Sequence, residues 1–161
     1  MRDLIAAAMF LLAIATCATA ADGRVGPILV QQPWARELPP VSTVAAAYLS
    51  VHNSGTQPDR LLAAATPAAS RVEIHTHGHS AGMMRMRQID GVDLLPGQRV
   101  SFEPGGLHLM LIDVQRPLIA GQGFALTLTF QHAGSVQVQV EVRKDAPPAP
   151  GGHAGHGQPR H

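Results

Sequence analysis

The amino-acid sequence predicts an all-β protein, an antiparallel β-sandwich or barrel whose sheets are half wet. Three observations predict it. First, Phe124, Leu126, Leu128 and Phe130 alternate with Ala125, Thr127 and Thr129, and Val136, Val138, Val140 and Val142 alternate with Gln137, Gln139, Glu141 and Arg143. A period of two is that of a strand with one buried and one solvated face. Second, turn compositions punctuate the apolar runs at intervals of roughly 8–12 residues, the spacing of sandwich and barrel strands. Third, no segment of the domain keeps a helical period over a useful length.

The elements follow in order. Residues 1–20 carry Arg2, an apolar run from Ala6 to Ile14, and small residues at Ala18 and Ala20. The run is too short to span a bilayer, and the pattern is that of a secretory signal peptide cleaved before Ala21. A lipoprotein reading at Cys17 is disfavoured by Thr16 just before it. Ile28-Leu29-Val30 opens the domain and Pro33-Trp34-Ala35-Arg36 follows, with Pro39-Pro40 as a break. Ala45 to His52 alternates and closes at the turn Asn53-Ser54-Gly55. Leu61-Leu62, Arg71–His77 and Met83–Ile89 are the next strands. Arg99–Glu103 comes after Pro96-Gly97, and Pro104-Gly105-Gly106 then delivers Leu107–Ile112. From Asp145 the chain turns to Pro, Gly, Ala and His, which cannot bury apolar surface and predicts a disordered tail over 145–161. The folded domain is thus expected over 21–144, a length suited to one core.

Composition removes several functions. A formal net charge of +1, with no basic patch or stripe, argues against nucleic acid as a partner. The single cysteine, Cys17, falls in the segment to be cleaved. The mature chain then lacks the thiolate that a blue-copper centre or a Cys-based zinc site needs.

The chemistry concentrates between His75 and Met110. His75 is followed after ten residues by Met86, after twenty-one more by His108, and after one more by Met110. Imidazole nitrogen and thioether sulfur are the neutral side-chain donors that suit monovalent copper. Strand parity sets Leu107, Leu109 and Leu111 on one face and His108 and Met110 on the other, and likewise Val72 and Ile74 against Glu73, His75 and His77. Met84 and Met86 share a face, so parity allows either as the third donor, and it excludes Met83.

This stretch, with Ala45-Ala46-Ala47-Tyr48 and His52-Asn53 upstream, resembles the periplasmic copper chaperone family called PCu(A)C. The resemblance rests on the His-x10-Met-x21-His-x-Met spacing. It rests also on Arg71-Val72-Glu73-Ile74, on Met84-Arg85-Met86-Arg87 and on Pro104-Gly105-Gly106. It covers most of residues 28–143 and implies a cupredoxin-like Greek-key sandwich in the periplasm. His75, Met86, His108 and Met110 would hold one Cu(I) for delivery during cytochrome c oxidase assembly. The implied partner is a copper-accepting oxidase subunit or a thioredoxin-like assembly factor with paired cysteines. The protein would be a monomer without stable membrane insertion once the signal is removed. Where the family often has Met just after the first His, this chain places His77 and His79 nearby.

Plainer readings stand beside these. A methionine in a β protein is usually core filler, the expectation for Met83. His52 is expected to make a structural hydrogen bond, His132 to be solvated in a turn, Trp34 to anchor packing, and Arg85 and Arg87 to line a solvated strand edge. The tail histidines His153, His156 and His161 are either inert or a secondary Cu(II) trap. Three rival functions stand beside these: a copper oxidase or dismutase, which needs an open coordination position; a copper-tolerance or sequestration protein; and an adhesion or solute-binding sandwich in which the His/Met cluster is incidental. Two imidazoles and two thioethers saturate a tetrahedral Cu(I) ion, which favours a carrier over an enzyme.

Overall fold

The computed structural model describes residues 21–80 and 83–147. The signal peptide expected over 1–20, with Cys17, and the tail histidines lie outside them. Among the described residues every regular element is a strand. They are β1 (Gly23–Val25), β2 (Ile28–Arg36), β3 (Val44–Asn53), β4 (Asp59–Ala65), β5 (Ala69–Ser80) and β6 (Met83–Gln88). After them come β7 (Val92–Leu94), β8 (Arg99–Phe102), β9 (His108–Val114), β10 (Gly123–Phe130) and β11 (Gly134–Arg143). Their hydrogen-bonded order is β6-β5-β9-β3-β2-β11-β10-β4-β7, with β1 on β2 and β8 on β3.

The sheet packs around a single core. Leu109 and Leu111 of β9, Leu49 and Val51 of β3, Leu126 and Leu128 of β10 and Val138 and Val140 of β11 all belong to one buried cluster. These are the positions the alternation assigns inward, so period two carries directly into the packing. Among the described strands pairing is antiparallel except between β11 and β2, which run parallel with Glu141 opposite Trp34. Those two strands are far apart in the chain, so no hairpin constrains their direction. The two segments expected around Pro33 form one strand. A register shift between Gln31 and Trp34 absorbs the proline, with Gln32 at φ 51 in the left-handed region.

Trp34 is the packing anchor expected of it, 6% exposed and tilted over Tyr48 with ring centroids 4.6 Å apart. His132 is exposed in its turn, but its backbone N–H donates to Asp59. That carboxylate also accepts from the N–H groups of Arg60 and Ala133. Burial works to raise the Asp59 pKa, but these hydrogen bonds prevail and hold it below the usual carboxylate value. His52 makes no side-chain hydrogen bond among the described residues, so the structural role expected for it is not found.

One local arrangement positions the site. The edge of β3 is shared end to end by β8 and β9. β8 covers Leu49–His52 and β9 covers Val44–Ala47. The chain passes from one to the other through Pro104-Gly105-Gly106. Gly105 has φ 83, which only glycine adopts without strain. The turn is closed by Gly106 N–H to the Glu103 carbonyl at 3.0 Å and Glu103 N–H to the Leu107 carbonyl at 2.7 Å. His108 is therefore the first residue of β9, at the rim of the sandwich.

Candidate metal centre

Three strands, β9, β5 and β6, bring the donors together. In the β5–β9 ladder His75 lies opposite His108 and Glu73 opposite Met110. Directly opposed residues point to the same face, so the four side chains line one surface. On its other side Met110 faces Ala46 of β3, a methyl-sized neighbour that leaves room for the thioether. In the β5–β6 ladder Met86 lies opposite His77. β6 is the end strand of the sheet order, and Met86 is 46% exposed, whereas His108 is 4% exposed.

The central contact joins β9 to β6. His108 Nε2 stands 3.0 Å from the Met86 sulfur, and His108 Nδ1 stands 3.1 Å from the Gly106 carbonyl oxygen. A carbonyl only accepts, so Nδ1 carries the proton and donates to it. Burial lowers the His108 pKa, as do the neighbouring His77 and His75, while the Gly106 hydrogen bond opposes them. The ring is accordingly neutral at physiological pH. Its Nε2 lone pair then faces a thioether sulfur with no hydrogen between them. Two Lewis bases held face to face are an arrangement that a shared cation resolves.

His75 is oriented differently. Its Nε2 lies 2.8 Å from Glu73 Oε2, and Arg71 Nε donates to Glu73 Oε1 at 2.8 Å. The Arg71 hydrogen bond first, and then that of His75, hold the Glu73 carboxyl below its ordinary pKa. The carboxylate fixes the proton of His75 on Nε2 and leaves Nδ1 as the donor nitrogen. That Nδ1 is buried and has no hydrogen-bond partner among the described residues. The His75 and His108 ring centroids are 5.8 Å apart.

Of the four expected donors, Met86 and His108 are thus in contact, His75 faces His108 across the ladder, and Met110 lies two pairs further along, on the same face. Among the described residues no three His, Cys, Asp or Glu side chains are placed to hold a metal ion together. The side chains of His79, Met83 and Met84 lie outside the described residues. Glu73 and the Gly106 carbonyl were not singled out as functional from sequence. The signal for Glu73 was present, since it shares the face of His75 two positions away. Arg85 and Arg87 are exposed along the β6 edge, as expected of them.

Fold and rim together define a cupredoxin-like domain with imidazole and thioether groups gathered at one end of its sheet. Comparison with known proteins gives the family. The model described as "Putative lipoprotein LpqE-like" matches residues 28–142, and the chain belongs to this family, the PCuAC family. Two solved relatives are the copper-bound PCuAC domain from PmoF2 and Cu(I)-DR1885 from Deinococcus radiodurans. The PmoF2 domain is 30% identical with a TM-score of 0.66, over 78% of this chain and 99% of that one. DR1885 is also 30% identical, with a TM-score of 0.63 over 76% and 82%. A sequence relative, "Putative lipoprotein Lxx21020" of Leifsonia xyli subsp. xyli, is 31% identical over 103 residues; the match takes in 63% of this chain and spans 62% of that protein.

Proposed function

We propose that this protein is an exported Cu(I) carrier that holds one ion through His75 Nδ1, His108 Nε2 and the sulfurs of Met86 and Met110. It passes that ion to a thiol-bearing acceptor. The observation that carries this reading is the neutral His108 Nε2 facing the Met86 sulfur at 3.0 Å. All four donors are neutral and soft or borderline, a set that matches Cu(I) and is filled by one tetrahedral ion. No open position remains for a substrate, which favours a carrier over an oxidase or dismutase. A thiolate is softer and anionic, so it can draw the ion away. The copper content of the PmoF2 and DR1885 domains supports the same metal here.

Delivery to cytochrome c oxidase, through its copper-accepting subunit or a thioredoxin-like assembly factor, is the role we assign to the transfer, with the periplasm as its place. Copper sequestration for tolerance is the alternative. The lipoprotein names of the family model and of the Leifsonia relative favour a second reading of the leader, in which Cys17 anchors the domain at the membrane.

Competition titration with a Cu(I) chelator under reducing conditions tests this reading. The wild type is expected to take up one equivalent. Met86→Leu keeps the side-chain volume, removes the sulfur that faces His108, and is expected to weaken Cu(I) binding by at least about tenfold. Met84→Leu is expected to change it little, because Met84 is one two-residue step along the strand, about 6.5–7 Å away. The reverse order would move the donor to Met84, and no uptake by the wild type would remove the carrier reading.

A further inference from the structure

His77 is outside the four-donor set, yet it stands against it. It follows His75 by two residues on β5 and so shares its face. It is the cross-strand partner of Met86, and its ring centroid is 5.3 Å from that of His108, nearer than the 5.8 Å of His75. Its Nδ1 is buried without a hydrogen-bond partner among the described residues, a costly state for a polar atom that has no role.

His108 therefore has imidazoles on both sides. On the inner side are His75 and, two pairs further on the same face, Met110; on the outer side are His77 and the exposed Met86. A Cu(I) ion held by His75, His108, Met86 and Met110 together is saturated and offers an incoming donor no position. Rapid hand-over needs a place where the ion is less fully held and nearer to solvent.

We propose that His77 is a fifth donor, which with His108 and Met86 forms an outer station where Cu(I) rests on its way out. The proposal deepens the carrier reading and depends on it. As the ion moves outward, its bonds to His75 and Met110 break and one bond to a ring nitrogen of His77 forms. His108 and Met86 remain bound, the copper stays monovalent, and no electron or proton is transferred. The three-coordinate ion then meets an incoming thiolate on the side of Met86, the most exposed of the donors.

The test is stopped-flow transfer of Cu(I) from the loaded protein to excess dithiothreitol, with equilibrium affinity measured in parallel. Wild type, His77→Gln and His77→Met are compared. His77→Gln is expected to keep stoichiometry at one and affinity within about threefold, while transfer slows by about tenfold or more. His77→Met restores a soft donor and is expected to transfer within about threefold of the wild-type rate. Transfer by His77→Gln at the wild-type rate overturns the proposal. So does equal slowing in His77→Met, which would make the effect structural. An affinity loss of about tenfold or more in His77→Gln also overturns it, by making His77 a permanent ligand. A wild type that takes up no Cu(I) overturns the carrier reading together with this one, whereas normal uptake with unchanged transfer overturns only this one.

Discussion

His108→Leu is expected to lower Cu(I) affinity by more than about a hundredfold, the largest loss of any single substitution at the rim; removal of an outer supporting partner alone costs about 10–100-fold. His108 is the hinge of the whole arrangement. It touches Met86 on β6, faces His75 on β5, and has its tautomer fixed by the Gly106 carbonyl. Leucine fills the buried position without a polar atom, so the strand and the leucines behind it keep their packing. The Gly106 carbonyl loses its donor but sits at a turn that water reaches. Chelator competition on the folded variant checks the effect, with circular dichroism to verify the fold. Wild-type affinity in His108→Leu would mean that the close approach to Met86 is packing and nothing more.

Asn53→Leu is expected to destabilise the fold by about 3–5 kcal/mol, because it strands several buried polar groups at about 1–3 kcal/mol each. Asn53 is fully buried. Its Nδ2 donates to the Gln57 carbonyl at 2.8 Å and the Leu94 carbonyl at 3.0 Å, and its Oδ1 accepts from Gly55 N–H at 2.9 Å. One side chain thus pins the turn after β3 to β7, which is otherwise a three-residue strand at the end of the sheet. A loss of this size is a large share of the roughly 5–15 kcal/mol by which domains are stable. Urea unfolding monitored by Trp34 fluorescence measures it. A change below about 1 kcal/mol would mean that water or a shifted turn satisfies those groups. Cu(I) stoichiometry of the folded fraction is expected to stay at one, since the turn is remote from the rim.

Much of this architecture was legible because strand parity is a strong local signal. Phe124 to Phe130 and Val136 to Val142 announce their buried faces, and the same parity sets His108 and Met110 opposite Leu109 and Leu111. Short strands were not legible: β1 and β7 have three residues each, too few to display a period. Pro33 made one strand look like two, since a bulge leaves no mark in composition. The parallel β2–β11 pairing joins strands far apart in the chain, and no neighbouring residues encode it.

At the site, parity proposed the donors but could not choose between Met84 and Met86, and only the family spacing separated them. What lay beyond reach was cross-strand register. The opposition of His75 to His108 and of His77 to Met86 depends on how β5, β6 and β9 align. Nothing in the run His75 to His79 distinguishes one imidazole from the next. Gly106 as the partner that orients His108 follows from the turn, whereas Glu73 as the partner of His75 needs only parity within β5.

X-ray absorption of the Cu(I)-loaded protein tests the four-donor site, because it counts the donor atoms around the metal. The expected spectrum has an edge typical of monovalent copper and a mixed first shell of two imidazole nitrogens and two thioether sulfurs, with one sulfur lost in Met86→Leu. A shell of nitrogen and oxygen alone, unchanged by that substitution, would contradict it.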